Sequence, residues 1–207
     1  MNDNPTVLLM FSGGLDSLGA LYLLLTDKQY SNFNIHVHHL HLSNSEQRHY
    51  VEKTAVDVII KYLRDKKYRD FTYTESLHYF PSIPNSNGRL PFDSDIVLFM
   101  ASMICMCDKT ITHYASGITA SDLMQGIVNP HVEITRRLFE QLTYSEGHGV
   151  KRIYPVDKFT KDQIRMFLPI ELSSLAWSCR TPIYKDEEPE VCGRCQPCII
   201  MRGILNA

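Results

Sequence analysis

The chain has 207 residues, 44% of them apolar and 21% charged, with a formal net charge of −2 and a pI near 6.5. This is the make-up of a globular domain long enough to bury a substantial core, and it excludes a global basic field for nonspecific nucleic-acid binding. No apolar run approaches the ~18 residues of a membrane span, and MNDNPTVLLMF has no basic stretch ahead of its short apolar one, so neither a membrane nor a secretory route is expected. In the cytoplasm that this implies, the six cysteines are metal ligands or core residues before they are disulfides.

The first element is a strand, Val7 to Phe11, that ends abruptly at Ser12-Gly13-Gly14. Leu15, Leu18, Leu21, Tyr22 and Leu25 then recur at helical spacing, so a helix starts near Asp16. A strand, a turn with two glycines and a helix N-terminus present successive N–H groups and a positive dipole end to one concavity, which favours an anion. The turn lacks the Gly-Lys-Ser/Thr of a P-loop, and its glycines do not fit G-x-G-x-x-G. It does hold hydroxyls at Ser12 and Ser17 and a carboxylate, Asp16, suited to a Mg²⁺ between itself and phosphates. SGGLDS resembles the SGGxDS motif of the PP-loop ATP pyrophosphatases, enzymes that activate a carboxyl, amide or ring carbon by adenylation.

A second strand is expected over Asn34 to Leu42, with His36 and His38 on one face and His39 and His41 on the other. These histidines read as strand-end polar residues before metal ligands. An amphipathic helix follows from Glu46 to Lys66, with Val51, Ala55, Val58, Ile59 and Tyr62 on one face. A short strand near Asp70 to Thr74 and a loop over residues 80 to 91 lead to a strongly apolar helix, Asp93 to Cys107, whose Cys105 and Cys107 are expected in the core. Thr110 to Ser116 reads as a strand, Gly117 to Pro130 as a loop, and His131 to Thr143 as a helix. Tyr154 to Val156 is expected to be extended. Thr160 and Gln163 form a capping box opening a helix that Pro169 interrupts, with a further helix through Trp177. Strands alternating with helices predict an α/β fold with a parallel sheet covered on both faces and a ligand site at the strands' carboxyl ends.

At the C-terminal end, Cys179 is followed by a polar loop and by Cys192-Gly-Arg-Cys195-Gln-Pro-Cys198. Four thiolates at this spacing can converge on one ion and favour Zn²⁺. The overlapping C-x2-C-x2-C also suits an iron–sulfur run, although the further nearby Cys of the ferredoxin pattern is missing.

Together the two ends resemble the 7-cyano-7-deazaguanine synthases, PP-loop enzymes of queuosine-precursor biosynthesis. Gln47-Arg48-His49 matches a Gln-Arg-His that the family carries after its second strand, and the segment from Tyr154 to Lys161, Trp177-Ser178-Cys179 and the final CGxCxxC match its C-terminal part. The resemblance implies a Rossmann-like PP-loop domain (residues 1–168) and a C-terminal helix with a four-cysteine zinc lobe (residues 169–207), assembled as a homodimer. It places ATP on Phe11, Ser12, Gly13, Gly14, Leu15, Asp16 and Ser17, with the adenine near Leu40, and gives Asp16, Ser17, Arg48 and His49 to catalysis. The implied reaction converts 7-carboxy-7-deazaguanine and ammonia to the nitrile through an adenylate and an amide, with ATP and Mg²⁺. Arg89, Asp93, Asp95 and Asp122 are the expected substrate contacts. The chain departs from the family pattern at Gly88-Arg89-Leu90 and over Gly117 to Gly126, where Asp122 is kept and the Tyr-, Gly- and Pro-containing substrate loop is not. Shortened relatives accompany phage DNA modification and antiphage systems, so an amide product or another acceptor is an alternative. A PP-loop tRNA-modifying enzyme such as a thiolase is a second alternative; the acidic run Lys185 to Glu190 beside the cysteines speaks against an RNA-holding lobe and direct nucleic-acid contact.

Overall fold

The computed structural model describes residues 4–43, 47–79, 93–124, 130–144, 149–186 and 188–205. Its centre is β1 (Thr6–Met10), every residue of which is buried. That burial on both faces explains an uninterrupted apolar run rather than an alternating one. Around it lies a five-stranded sheet in the order β3-β2-β1-β4-β5, parallel throughout, with β2 at Asn34–Ser43, β3 at Thr72–Tyr79, β4 at Ile111–Ala115 and β5 at Lys151–Ile153. Helices α1 (Leu15–Thr26), α2 (His49–Asp65) and α6 (Lys161–Phe167) cover one face, where Leu9, Leu18, Leu21, Ile59 and Ile164 share a core. On the other face lie α3 (Asp93–Cys107) and α5 (Pro130–Tyr144), packed on Leu8, Met10 and Tyr114. The chain order reverses between β1 and β4, and a doubly wound sheet opens its crevice at such a point. The α/β parallel-sheet expectation is met.

Several boundaries differ from the sequence reading, each for a physical reason. β3 runs on to Tyr79 because its hydroxyls serve its neighbour: Thr74 Oγ1 lies 2.7 Å from both His36 Nε2 and His38 Nδ1, and Ser76 Oγ lies 2.9 Å from His38 Nε2. His36 and His38 are thus held by strand partners, and His39 and His41 do face the other way. In α2 Val51, Ala55 and Ile59 are buried as expected and Tyr62 packs against the core, while Val58 is exposed and Val56, Ile60 and Leu63 complete the buried stripe. Cys105 is buried as expected, but Cys107, at the end of α3, is exposed.

The stretch after β4 is not all loop. A short helix, α4 (Ala120–Met124), opens where Thr119 and Asp122 cap one another: Thr119 N–H donates to Asp122 Oδ2 over 3.0 Å and Asp122 N–H to Thr119 Oγ1 over 3.3 Å. The last sheet strand precedes Tyr154, because Pro155 has no N–H to extend the ladder and the chain turns there. The Thr160–Gln163 capping box is present on α6. Beyond Pro169, α7 is a single turn, Ile170–Ser173, and does not reach Trp177. Trp177 N–H instead donates to the carbonyl of Gly13 over 3.0 Å, which draws the chain onto the turn after β1. The expected polar loop contains an antiparallel hairpin, β6 (Ile183–Lys185) with β7 (Glu188–Glu190), and α8 (Gln196–Leu205) closes the described chain. Among the described residues no helix is long and apolar enough to cross a membrane.

Candidate active site and four-cysteine centre

The turn between β1 and α1 is built for close approach. Gly13 has φ +76°, and a Cβ there would stand 3.0 Å from Val56 Cγ2, so both its conformation and its neighbour require glycine. Across the turn, Ser12 Oγ and Ser17 Oγ lie 3.1 Å apart, Gly14 N–H donates to Ser12 Oγ over 3.3 Å, and Ser17 Oγ–H donates to Gly14 O over 3.1 Å. Gly14, the N-cap of α1, has no side chain to cap it, and Leu15 N–H reaches Ser178 Oγ over a long 3.5 Å. The helix therefore begins with its positive end turned to an open, hydroxyl-lined concavity, the arrangement that receives phosphate. The loop after β4 closes against it, since a Cβ on Gly117 would come within 3.1 Å of the Asp16 and Ser17 backbone.

That concavity belongs to a cavity of about 350 Å³, within the ~300–1,000 Å³ typical of small-molecule sites. Asp16 sits in its wall. Burial pushes the Asp16 carboxyl above its ordinary range, against the opposing pull of Lys161. Lys161 Nζ is hydrogen-bonded to Asp16 Oδ2 and lies 3.8 Å from Asp122 Oδ1. The other oxygen, Asp16 Oδ1, is buried with no hydrogen-bond partner among the described residues. An orphaned carboxylate oxygen in a cavity that Ser17 also lines, at the start of α1, fits the oxygen-ligand chemistry of Mg²⁺.

Leu40, Leu42 and Val97 add apolar lining to the same cavity, beside an ion-pair cluster. Arg48, 8% exposed, pairs with Asp93 at the start of α3, and its Nε lies 3.6 Å from Glu52 Oε1. Of the residues expected from sequence, Ser12, Gly14, Leu15, Asp16, Ser17, Leu40, Arg48, Asp93 and Asp122 are thus brought to one cavity. Phe11 is buried beneath it, its carbonyl accepting from His39 Nδ1 over 2.7 Å. Gly13 shapes the turn from behind, and His49 is buried against Tyr50 off the cavity wall. Asp95 stands in the first turn of α3 and does not line the cavity, and Arg89 lies outside the described residues.

Lys161 and Arg180 line the cavity and do not stand out in the sequence. A usable signal exists for Lys161: the capping box makes it the first residue of a helix, where a cation opposes the dipole and so needs another reason to be there. Arg180 has no such local mark.

The C-terminal segment completes the site. Ser178 Oγ accepts from Leu15 N–H over 3.5 Å, and Trp177 Nε1 donates to Cys179 O over 3.0 Å. Cys179, Cys192, Cys195 and Cys198 then bring their sulfurs within 4.8 Å of one another, with Cys192–Cys198 at 3.9 Å and Cys179–Cys195 at 4.0 Å. Backbone N–H groups of Cys192 and Cys195 donate to the sulfurs of Cys179 and Cys192, each over 3.3 Å. The Thr181 hydroxyl, 3.2 Å away, and nearby N–H groups hold the Cys192 thiol down to about 5, whereas burial pushes Cys198 up to about 12. Such a set shares protons until a cation displaces them all. Four sulfurs this close suit a tetrahedral ion, which at a metal–sulfur bond of ~2.3 Å sets its ligands roughly 3.8 Å apart. From Cys195 and Cys198 springs α8, whose Gln196, Pro197, Ile200 and Met201 roof the cavity.

No protein-family model and no curated protein sequence matches the chain. A solved structure does: the U34-tRNA thiolase NcsA from Methanococcus maripaludis with its [4Fe-4S] cluster, at 19% identity and a TM-score of 0.56, over 98% of this chain and 67% of that one. At that identity the likeness speaks for the fold alone, an α/β fold with this chain spanning about two thirds of the neighbour's length.

Proposed function

We propose that the protein is an ATP-dependent enzyme that adenylates a carboxylate, converting 7-carboxy-7-deazaguanine and ammonia to 7-cyano-7-deazaguanine. The observation that carries this reading is the convergence in one cavity of the Ser12–Ser17 glycine turn at the start of α1, the half-satisfied Asp16 with Lys161, and the Arg48–Asp93 pair. Asp16 Oδ1 and the Ser17 hydroxyl would hold Mg²⁺, which supplies charge neutralisation at the phosphates when bound. The turn's N–H groups and Lys161 orient the α-phosphate and stabilise the charge that develops there. A carboxylate oxygen of the acceptor forms a bond to that phosphorus as its bond to the bridging oxygen breaks and pyrophosphate leaves. Ammonia then takes the acyl carbon, AMP departs, and a proton is lost to give the amide. Activation of the amide oxygen by a second ATP and loss of AMP and two protons give the nitrile. On this reading Asp93 accepts from the N–H edge of the base, Arg48 meets the carboxylate, and Leu40, Leu42 and Val97 face the flat ring.

For the four cysteines we infer Zn²⁺ in a structural role, supported by sulfurs packed about a single point. A cluster of several irons, such as the structural neighbour's, sets its thiolates on different irons and hence further apart.

The neighbour favours a second reading, sulfur insertion into tRNA with the same adenylating chemistry. Against it, the hairpin between the first two cysteines carries Glu188 and Glu190. The deciding experiment incubates the purified protein with ATP, Mg²⁺, ammonia and 7-carboxy-7-deazaguanine, and in parallel with tRNA and sulfide, with mass spectrometry of AMP and both acceptors. The nitrile supports the first reading. The amide alone places the chain with enzymes that stop one step earlier, and thiolated tRNA supports the second reading.

A further inference from the structure

Three cationic side chains line the cavity, and two are already engaged. Lys161 faces Asp16 and Asp122, and Arg48 faces Asp93 and Glu52. The third, Arg180, makes no side-chain hydrogen bond or ion pair among the described residues, yet its charge bears on the Asp16 carboxyl. Four carboxylates share the cavity wall with these three cations, so the lining carries a slight negative excess at a place shaped for phosphates. A polyphosphate held there needs a positive group that no carboxylate already engages. A guanidinium, with its planar fork of donors, is the side chain best matched to phosphate oxygens.

We propose that Arg180 binds the β- and γ-phosphoryl groups of ATP and holds them as pyrophosphate leaves. This rests on the ATP-cleaving reading above and adds the residue that receives the leaving group. When the bond between the α-phosphorus and the bridging oxygen breaks, its electron pair stays on that oxygen, and Arg180 meets the resulting charge without any proton transfer. Its position is set from the four-cysteine centre. Arg180 follows Cys179 directly in the chain, and Cys179 lies within the four-cysteine cluster. The metal site thus places the pyrophosphate-binding cation, which gives a C-terminal metal lobe a function at the nucleotide.

The test is calorimetric titration of the metal-loaded protein with pyrophosphate, ATP and AMP, in the parent, Arg180→Ala, Arg180→Gln and Arg180→Lys. The side chain is exposed and none of these changes alters a cysteine, so metal content by elemental analysis is expected to stay at the parent value. Should Arg180→Ala lose metal, the comparison of Arg180→Gln with Arg180→Lys carries the result. Ala or Gln removes the charge-assisted hydrogen bonds of the guanidinium and weakens pyrophosphate and ATP by about ten- to a hundredfold. AMP binding stays unchanged, and Lys partly restores the affinity. Parent-like pyrophosphate affinity in Arg180→Ala, or an equal weakening for AMP, overturns the assignment while leaving the ATP reading intact. A parent protein that binds neither ATP nor pyrophosphate overturns both.

Discussion

Lys161 Nζ is bonded to Asp16 Oδ2 across 145 residues of sequence, joining the first helix of the fold to one that follows the last strand of the five-stranded sheet. The pair sits where the adenylating step is placed, so each partner's removal has a distinct outcome. Asp16→Ala takes away the oxygens proposed for Mg²⁺ and is expected to abolish ATP-dependent AMP formation while the protein stays folded. Lys161→Met removes a donor that acts on developing charge and should lower the rate on the order of a hundredfold, with little change in melting temperature, since both side chains are partly exposed. AMP release at the parent rate in either variant, followed by chromatography, would remove that residue from the mechanism.

Metal removal should reach the nucleotide as well as the C-terminal lobe. The helix that starts between Cys195 and Cys198 supplies Gln196, Pro197, Ile200 and Met201 to the cavity wall. Structural zinc contributes on the order of 10 kcal/mol to ordering its ligands. Chelation is therefore expected to expose the chain after Pro169 to protease before the sheet melts, and to abolish ATP binding in the same titration. One metal per chain is expected, lost on replacing any of Cys179, Cys192, Cys195 or Cys198. A metal-free preparation with unchanged protease resistance and ATP affinity would contradict this.

What is legible in the sequence is local. The strand, glycine turn and helix at Thr6 to Thr26 are contiguous, and their chemistry is written in six adjacent residues. The four cysteines are legible because thiols at short spacing have few other uses. The edge of the buried face of α2 is not, because tertiary packing decides it: Val56 lies beneath Gly13 and Val58 is exposed. Nor are Lys161 and Arg180, whose partners stand far away along the chain and come close only once β1, β4 and the C-terminal segment are assembled. The Thr119–Asp122 cap has a readable S/T-x-x-D spacing, but the small polar residues around it make the stretch look like plain loop.

Stability should fall on mild acidification through two histidines of β2. Burial holds both His38 and His39 down to about 4, from an ordinary value of 6.5. The unfolded chain takes up protons on these rings below pH 6.5, and the native chain does not until about pH 4. Their contribution is complete above pH 6.5 and is lost as pH falls towards 4, at ~1.4 kcal/mol per ring and pH unit. Urea midpoints are therefore expected to drop between neutral pH and pH 5, and less steeply in His39→Asn, whose amide can keep the donation to Phe11 O. Equal midpoints at the two pH values would show that these rings are not buried neutral.

The Arg48–Asp93 pair leads to the last prediction, on the acceptor. Arg48 is held at the N-terminus of α2, where the helix dipole disfavours a cation, by carboxylates from two helices. Removing it leaves Glu52 and Asp93 facing each other uncompensated, so Arg48→Ala should cost both stability and acceptor binding. Asp93→Asn is milder: the amide keeps the shape and one acceptor oxygen, and Arg48 keeps Glu52. If Asp93 reads the N–H edge of a guanine-like base, Asp93→Asn weakens 7-carboxy-7-deazaguanine by about tenfold, and ATP affinity is unchanged because Asp93 is not among the groups proposed to hold the phosphates. Calorimetry of both ligands against Asp93→Asn, with Asp95→Asn as the off-cavity control, separates the outcomes. Parent-like binding by Asp93→Asn, or an equal weakening in Asp95→Asn, would move the base elsewhere.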